Sequence, residues 1–397
     1  MLREVVVASA ARTPIGTFLG SLKDVTPMHL MYTAAKKAMQ NIELKPELVD
    51  QVIAGMCYNE GQGGNPARQV QGMLGIPWQP AYAMTLNQAC GSSQRAFDIA
   101  YQDIMLGRCD VVIAGGMESM SQVPYGLTRG REGYRLGVPD AGIYDILFKD
   151  GFICAIEKDH MGGTAENLAE EYKISREEQD ELAALSHQRA VAAIKAGRFI
   201  DEIAPVEISS KKGTKIVAVD ENPRENVDMA AMSRLPPAFR KGGTVTAGNS
   251  SSINDGGSAV VLMAADKAKE LGIKPLARVL ATCSYGVPPR IMGIGPVYAI
   301  PKVLRFAGLT QDQIDLWEIN EAFAAQFIAC NRELKIPMDR CNVNGSGIGL
   351  GHPVGATGVR LVVSLIYEMQ KRGSRYGVAS LCGGGGVATA ICIELIK

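Results

Sequence analysis

The sequence predicts an α/β fold in which helices cover both faces of a mostly parallel sheet. Three observations lead to this prediction. Apolar strand-like segments alternate with helical segments, the order of these elements in the first part of the chain is echoed in the last part, and a long segment between the two parts lacks the alternation. We therefore divide the 397 residues into an N-terminal half (residues 1–118, continued by 246–272), an inserted loop domain (119–245) and a C-terminal half (273–397).

The N-terminal half shows the alternation from its first residues. Thr26 followed by Pro27 is typical of a helix start, because threonine caps free N–H groups and proline fits the first helical position. The apolar segment 81–86 is predicted to be a buried strand that turns sharply into a helix. Strands are predicted at residues 4–10, 51–56, 81–86, 110–114 and 257–264, and helices at 27–39, 65–74, 94–106 and 266–271.

The inserted domain has a different character. Its first part, residues 119–150, is rich in glycine, tyrosine and arginine and has no clear periodicity. Ser175 with Glu178 forms a capping box, which predicts a helix that runs to about Ala196 and ends at Gly197. Residues 203–208 and 215–219 are predicted to pair as a hairpin around the turn at 211–213.

The C-terminal half repeats the pattern of the N-terminal half. Strands are predicted at residues 277–284, 316–319, 377–381 and 388–395, and helices at 300–306, 321–334 and 359–370. Each half contains a strand, a turn with a chemically active side chain, a helix, a second strand and a group of glycines. If the halves are related by a pseudo-two-fold axis, this duplication brings Cys90, Asn320, His352 and Cys382 to one site.

Cys90 lies where a predicted strand turns into a helix, within residues 87–93. A cysteine at a helix N-terminus meets free backbone N–H groups and the positive end of the helix dipole, and both favour the nucleophilic thiolate. The small residues that follow allow another molecule to approach. The alternative interpretation of Cys90 taken alone is a small buried residue that fills a strand end.

Three further residues complement Cys90 chemically. His352, in a glycine-rich turn, is a candidate base, and Cys382, followed by four glycines, supplies a second thiol. The glycine run also offers backbone N–H groups that would stabilise an oxyanion. Asn320 follows an apolar strand, where the alternative role is to cap a helix. Together these groups predict thiol acyl transfer, in which one thiolate holds an acyl group and the other thiol moves a proton.

Composition and motifs exclude several other classes of function. The formal net charge is zero and there is no basic stripe, which argues against nucleic-acid binding, and no apolar run approaches the ~20 residues that a membrane helix needs. The nine cysteines are scattered without a CxxC pair, which indicates a reducing cytoplasm. With four histidines and no metal-ligand spacing, we expect no metal site and no cofactor.

Several motifs occur in order along nearly the whole chain, and together they resemble the thiolase family, most closely its short-chain, acetoacetyl-CoA-specific branch. The motifs are Arg12-Thr13-Pro14, Asn87-x-x-Cys90-Gly91-Ser92, Gly116-Met117-Glu118-Ser119, Thr246-Ala247-Gly248-Asn249, Asn320-Glu321-Ala322-Phe323 and Gly351-His352-Pro353-x-Gly355.

The resemblance implies a duplicated five-layer α/β/α/β/α fold with an inserted loop domain. It implies that Cys90 is the acylated nucleophile and that His352 activates it. Cys382 would exchange the proton at the Cα of the second substrate or protonate the departing group. Asn320 would hold a water that forms one oxyanion hole with His352, and the N–H groups of Cys90 and Gly384 would form the other.

By the same resemblance, the expected reaction is the reversible condensation of two acetyl-CoA to acetoacetyl-CoA and CoA through acetyl-Cys90. The expected assembly is a homotetramer, with residues 119–135 at a second interface. The resemblance also supplies the residues that would contact coenzyme A or the acyl group, and these are His160, Met161, Arg224, Leu235, Ala247, Ser251, Met292, Ala322 and Phe323.

Other functions are compatible with parts of this pattern. A broad-chain 3-ketoacyl-CoA thiolase is disfavoured because the bulk of His160 and Met161 would crowd a longer acyl chain. A decarboxylating β-ketoacyl synthase is disfavoured by Cys382, and a silent acyl-CoA carrier by the complete set of active side chains. A redox sensor that pairs two thiols is a further alternative. Three positions depart from the glycine usual in the family, namely Ser93, Ser252 and Ala388.

Overall fold

The computed structural model describes residues 2–134, 142–211 and 213–396. Within these ranges the strands are β1 (Val5–Arg12), β2 (Gly16–Thr17), β3 (Gln51–Gly55), β4 (Tyr82–Leu86), β5 (Val111–Ser119), β6 (Tyr125–Leu127), β7 (Ile143–Asp145), β8 (Val206–Ser210), β9 (Gly213–Val217), β10 (Asn254–Ala264), β11 (Ala277–Gly286), β12 (Leu316–Ile319), β13 (Tyr376–Gly383) and β14 (Val387–Leu395).

The α-helices of the same ranges are α1 (Pro27–Gln40), α2 (Pro66–Met73), α3 (Ser92–Met105), α4 (Met161–Glu171), α5 (Arg176–Lys195), α6 (Met229–Ser233), α7 (Ala265–Glu270), α8 (Pro296–Ala307), α9 (Ala324–Leu334) and α10 (Val354–Arg372). In these parts of the chain, no helix has the length and apolar character that crossing a membrane requires.

Local capping explains where several helices begin. The Thr26 side chain accepts the N–H of His29 at 3.3 Å, which starts α1 as predicted. Ser175 and Glu178 form the predicted capping box at the start of α5. The sequence missed α4, because its N-cap is the His160 ring, whose Nδ1 accepts the N–H of Gly162 at 2.9 Å. Histidine is not among the residues usually favoured at this position.

The central sheet runs in the order β4-β3-β5-β10-β1-β11-β14-β13-β12, with β2 beside β10. Strand β3 pairs in parallel with β4 and β5, and β12 pairs in parallel with β13. The other strand pairs described in this sheet are antiparallel. The prediction of a mostly parallel sheet is therefore wrong. The last strand of each half pairs antiparallel with the strand before it in the sheet, β10 with β5 and β14 with β13, which makes the sheet mixed.

The pairing pattern is the same on both sides of the β1–β11 contact, which confirms the predicted duplication. In the N-terminal half, β1 is followed in space by β10, β5, β3 and β4, and in the C-terminal half β11 is followed by β14, β13 and β12. A parallel bridge from Trp317 to Cys341 lies where β4 lies in the other half. The helices α3 and α10 occupy equivalent places, each after the outermost parallel segment.

These elements stack in five layers, as the resemblance implied. Helices α1 and α2 cover the outer face of the N-terminal strands, and α8 covers the outer face of the C-terminal strands. Helices α3 and α10 pack against each other between the two sets of strands. Phe97 of α3 and Leu365 of α10 are fully buried there, and burying each such side chain contributes about 1.5–3 kcal/mol. Cys90 and His352 therefore precede two neighbouring helices of the middle layer.

Strand β4 differs from its prediction as a buried strand. It forms the edge of the described sheet, so its side chains are partly exposed, and Tyr82 is 47% exposed. An edge strand has a hydrogen-bonding neighbour on one side only.

The segment between β5 and β10 folds over the C-terminal half. Helices α4 and α5 pack with α9 in one apolar core. Strands β8 and β9 form the predicted hairpin. Lys212, in the predicted turn, lies outside the described residues. Buried ion pairs join this segment to β1, because Arg12 contacts Glu202 at 2.5 Å and Asp220 at 2.7 Å. This packing places α4 beside the ends of the C-terminal strands.

Candidate active site

A cavity of about 710 Å³ lies where the two halves and the inserted segment meet. Cys90, His352 and Gly384 line it, together with His160 and Met161 of the inserted segment. Of the other predicted contacts, Arg224, Ala247, Ser251, Met292, Ala322 and Phe323 also line the cavity.

Three predicted residues do not line this cavity. Asn320 and Cys382 are fully buried behind its surface, each next to a residue that does line it. Leu235 lies to one side, in the space beside Gly248, where a Cβ built on that glycine would be 2.7 Å from Leu235 Cδ1. The prediction that Leu235 faces bound coenzyme A therefore has no support from the cavity.

Hydrogen bonds from backbone N–H groups to side chains hold the Cys90 turn in place. The side chain of Asn87 accepts the N–H of Ala89 at 2.9 Å, and Ala89 adopts a left-handed conformation with φ of 49°. The Ser92 hydroxyl accepts the N–H of Gln88 at 2.8 Å. Cys90 of this tight turn lines the cavity, where it is partly exposed.

The Cys90 thiol is protonated in the resting site. Burial raises its pKa to about 11, although the N–H groups of Gly384 and of Cys90 itself hydrogen-bond to the sulfur and lower the pKa. Backbone N–H groups therefore act in the direction that the sequence predicted, but desolvation of the charged form outweighs them. The thiol needs a base before it attacks.

His352, which lines the same cavity, is the candidate base, and contacts with neighbouring side chains fix its position. Its backbone N–H is held by the Asn254 side chain at 2.8 Å, and its Nδ1 lies 2.7 Å from Thr357 Oγ1. The Thr357 hydroxyl donates to Pro353 O at 2.9 Å, so it accepts from Nδ1–H and leaves the lone pair on Nε2. Burial lowers the pKa of His352 to about 3, with a smaller effect from the Arg360 charge. The imidazole is therefore neutral.

Asn320 presents its amide to the same ring. Its Nδ2 lies 3.4 Å from His352 Nε2, consistent with an N–H directed at the lone pair. Its Oδ1 is buried and makes no hydrogen bond to the described residues, and a Cβ on Gly347 would come within 2.6 Å of that oxygen. The alternative in which Asn320 caps α9 is wrong, since the cap position is Phe323.

Cys382 lies at the end of β13, paired across the sheet with Ala388. It is fully buried, and burial raises its pKa well above the ordinary value, with a further increase from the charge of Cys90. The two thiols are therefore close enough to interact, and both are protonated in the resting site.

The sequence missed an apolar wall and an aromatic stack at this cavity. The missed lining residues include Cys57, Tyr58, Met120, Phe148, Phe152, Phe239, Ile253 and Val354. The His160 ring stacks on Phe239 with centroids 4.6 Å apart, and burial lowers its pKa. His160 therefore both caps α4 and lines the cavity. No periodicity marks these residues, because they come from six separate segments of the chain.

The two serines that stand where glycine is usual in the family, Ser93 and Ser252, have hydrogen-bond partners near the site. The Ser93 hydroxyl accepts the N–H of Val359 at 3.0 Å, which joins the start of α3 to α10. The Ser252 hydroxyl lies 2.6 Å from Asn222 Oδ1 and 2.8 Å from Asn254 Oδ1. Both serines therefore connect segments around the turns that hold Cys90 and His352. Within the described ranges, no group of three or more potential ligands is placed to hold a metal ion.

Comparison with known families agrees with this architecture. The thiolase N-terminal domain matches residues 5–266, and the thiolase C-terminal domain matches residues 273–395. The chain is a member of the thiolase family. The two matches of this thiolase meet between β10 and β11, where one half of the duplicated fold ends and the other begins.

Related proteins cover the whole length of this thiolase. It is 48% identical to an acetyl-CoA acetyltransferase of Syntrophomonas wolfei, with 100% of both chains covered. It is 46% identical to the acetyl-CoA acetyltransferase of Escherichia coli K12, again over 100% of both chains.

Solved structures show the same fold. The structure of the Syntrophomonas wolfei acetyl-CoA acetyltransferase superposes with a TM-score of 0.97 at 45% identity, covering 100% of both chains. Human mitochondrial 3-ketoacyl-CoA thiolase superposes with a TM-score of 0.95 at 42% identity, covering 99% of both chains. Proteins with two different names, an acetyl-CoA acetyltransferase and a 3-ketoacyl-CoA thiolase, therefore share the fold of this thiolase.

Proposed function

We propose that this thiolase is an acetyl-CoA C-acetyltransferase, which condenses two acetyl-CoA to acetoacetyl-CoA and CoA in a reversible reaction. The observation that carries the proposal is the meeting of two interacting thiols, Cys90 and Cys382, with the neutral His352 ring and two N–H groups aimed at the Cys90 sulfur. The names of the full-length relatives support the same substrate class.

In the first half-reaction, His352 Nε2 takes the proton of Cys90 as the sulfur attacks the carbonyl carbon of acetyl-CoA. The oxyanion that forms accepts the N–H groups of Cys90 and Gly384, which already point at this sulfur. When the tetrahedral intermediate collapses, the CoA thiolate leaves and takes the proton of Cys382. The site then holds acetyl-Cys90, the His352 imidazolium and the Cys382 thiolate.

In the second half-reaction, the Cys382 thiolate removes a Cα proton from a second acetyl-CoA. Asn320, through a bound water, and His352 stabilise the enolate oxygen. The carbanion attacks the acetyl group on Cys90, and collapse of that intermediate breaks the carbon–sulfur bond to release acetoacetyl-CoA. His352 then returns its proton to Cys90, so every group regains its starting state without a metal or redox cofactor.

The cavity favours a short acyl group beside Cys90. The Met161 side chain approaches Gly384 closely, since a Cβ on that glycine would lie 2.8 Å from Met161 Cε. The His160–Phe239 stack restricts the same wall. Towards the mouth, Lys149 and Arg224 line the cavity and would meet the phosphates of coenzyme A.

The experiment is thiolysis of acetoacetyl-CoA and of a six-carbon 3-ketoacyl-CoA by free CoA at equal concentrations. We expect kcat/KM to favour the four-carbon substrate by about tenfold or more. Met161→Ala should raise turnover of the six-carbon substrate. Comparable turnover of both substrates by the wild type would instead favour a broad-chain 3-ketoacyl-CoA thiolase.

We further propose that the protein is a homotetramer that works in a reducing cytoplasm. Apolar side chains on the hairpin of β6 and β7, namely Tyr125, Leu127 and Ile143, are more than half exposed. Tyr125 and Leu127 belong to the region expected at a second interface, and Ile143 pairs with Leu127. Residue 135 of that region lies outside the described residues. Light scattering during gel filtration should give a mass near four times 42.4 kDa, and a monomer would contradict the proposal.

A further inference from the structure

One buried carboxyl group joins the two halves of the duplicated fold beside the cavity. Glu118 lies on β5 in the N-terminal half and is fully buried. Its Oε2 atom accepts the N–H of Cys57 at 3.0 Å and the N–H of Gly355 at 2.8 Å, while Oε1 accepts the N–H of Tyr58 at 3.1 Å. A single oxygen atom therefore connects the segment that follows β3 to the first turn of α10 in the C-terminal half.

On the N-terminal side, this oxygen is linked to the Cys90 turn through backbone atoms of Cys57. The carbonyl oxygen of Cys57 accepts an N–H of the Asn87 side chain at 3.1 Å. The Oδ1 atom of Asn87 accepts in turn the N–H of Ala89 at 2.9 Å. A chain of hydrogen bonds therefore runs from Glu118 to the residue that precedes Cys90.

On the C-terminal side, the same oxygen fixes the start of the helix that follows His352. Gly355 comes three residues after His352, and Thr357, whose hydroxyl faces the Nδ1 atom of His352, comes two residues later. The contact leaves no room for a side chain, because a Cβ on Gly355 would lie 2.7 Å from Glu118 Oε2 and 2.8 Å from Met56 Cα. The place of the carboxyl oxygen therefore determines how closely α10 approaches the end of β3.

Glu118 lies outside the cavity, next to two residues that line it. A bound substrate would therefore not contact the carboxyl group. Burial raises the pKa of Glu118 to about 7, although the N–H groups of Cys57, Tyr58 and Gly355 lower it. The carboxylate form therefore predominates at pH 8, where both of its oxygens act as hydrogen-bond acceptors only.

We propose that Glu118 is a positioning residue, which sets the spacing between the Cys90 sulfur and the His352 ring by holding their two turns with one carboxylate. Proton transfer from the thiol to the ring requires the two groups to be within hydrogen-bond reach. A displacement of about 1 Å can slow such a step by about 10²-fold. The reach of the side chain should therefore matter more than its charge. The inference rests on the proposed roles of Cys90 and His352.

The test measures single-turnover acetylation of Cys90 by saturating radiolabelled acetyl-CoA at pH 8. Glu118→Asp keeps the charge but withdraws the carboxylate by about 1.5 Å, the length of one carbon–carbon bond, and should slow acetylation by about 10²-fold. Glu118→Gln is neutral but keeps the reach and one oxygen, which can still accept both bridging N–H groups. It should slow acetylation by only about fivefold.

A double-mutant cycle with His352→Asn separates positioning from a general loss of structure. His352→Asn alone should slow acetylation by about 10³-fold, because the base is absent. In that background Glu118→Asp should slow it by at most about threefold more, since no proton acceptor remains to be positioned. Effects of the two substitutions that simply multiply would mean that Glu118 acts on the fold alone, and they would overturn the inference.

Glu166 provides a matched control outside the two turns. It is 4% exposed, does not line the cavity, and its carboxyl oxygens accept the N–H of Thr244 at 3.0 and 2.9 Å and the N–H of Val245 at 2.9 Å. Glu166→Asp shortens a buried carboxylate of the same kind, so it should lower the melting temperature as Glu118→Asp does. Its acetylation rate should nevertheless stay within about twofold of wild type.

A wild-type acetylation rate in folded Glu118→Asp would overturn the inference. So would an equal loss in Glu166→Asp, or a larger loss in Glu118→Gln than in Glu118→Asp, since charge rather than reach would then matter. If Glu118→Asp does not fold, Glu118→Gln decides in the same cycle, with about fivefold slowing expected when His352 is present and none in the His352→Asn background. Failure of the proposed function would look different, as the absence of acetyl-Cys90 in wild type or an unchanged rate in His352→Asn.

Discussion

The turn before α3 and the turn before α10 occupy equivalent positions in the two halves, yet their active side chains are held in different ways. Cys90 is reachable from the cavity, and the contacts on its sulfur are backbone N–H groups. His352 is only 5% exposed, and both of its ring nitrogens face side chains, Thr357 on one side and Asn320 on the other.

This difference shows how a duplicated fold divides one reaction between its halves. In the proposed mechanism the N-terminal half supplies the sulfur that becomes acylated, which has to be accessible to a large substrate. In the same mechanism the C-terminal half supplies His352 and Cys382, which move protons, and Asn320, which holds a water. Burial fixes the geometry of all three and shifts the pKa values of His352 and Cys382. The comparison predicts that variants on the two sides fail in different steps.

The largest effect is expected for Cys90→Ser. A serine hydroxyl is far harder to deprotonate than a thiol, so acylation and overall turnover should fall by about 10⁴-fold. Acetylation by radiolabelled acetyl-CoA and steady-state thiolysis would measure both steps. The matched control is Cys57→Ser, which changes another thiol of the same cavity and should retain turnover within about twofold. Full turnover of Cys90→Ser would remove the N-terminal half from its assigned role.

Cys382→Ser should affect the other step. Acetyl-Cys90 should still form in a burst of one per site, while carbon–carbon bond formation and cleavage should fall by about 10³-fold, because serine is a poor base for the Cα proton. Quench-flow acylation beside steady-state rates separates the two. Cys330→Ser, a buried cysteine whose charge also acts on Cys382, is the control for packing and should keep both steps. Burst acylation with unchanged steady-state turnover would contradict the division of labour.

Most of the fold was predictable because its signals are local or repeated. The Thr26–Pro27 start of α1 and the Ser175–Glu178 capping box depend on residues within one turn of helix. The echo between the Cys90 and His352 turns identified the duplication and the four central side chains. Strand direction was not predictable, because β10 joins the sheet after an insertion whose length does not reveal where the chain returns.

The protonation states and the cavity walls were also beyond the sequence. Whether Cys90 is a thiol or a thiolate depends on how deeply other segments bury it, and this burial outweighs the N–H groups that favour the thiolate. The partners of His352 are set by folding, since Thr357 reaches Nδ1 only through the start of α10 and Asn254 comes from β10. Phe239 and Met120 lie on the cavity wall because distant loops converge there.

The buried state of His352 should appear in the pH dependence of stability. Its folded pKa of about 3 lies below the value of about 6.5 for an unfolded chain, so the unfolded state binds a proton first as pH falls. The stabilisation present above pH ~6.5 is therefore lost on acidification, by about 2 kcal/mol at pH 5. Urea unfolding of wild type and His352→Asn at pH 7.5 and pH 5 should show wild type losing this much more than the variant. Equal losses would mean that His352 is not desolvated in the folded state.

The smallest expected effect on activity comes from a contact that the His352 turn has and the Cys90 turn lacks. Thr357→Val keeps the shape of the side chain but removes the acceptor of Nδ1–H, so the ring loses its preferred tautomer and orientation. We expect kcat to fall by about tenfold with KM unchanged, since Thr357 does not line the cavity. Thr357→Ser retains the hydroxyl and should restore kcat to within about twofold of wild type. Steady-state thiolysis of acetoacetyl-CoA measures both constants, and a fully active Thr357→Val would show that Asn320 and burial alone fix the base.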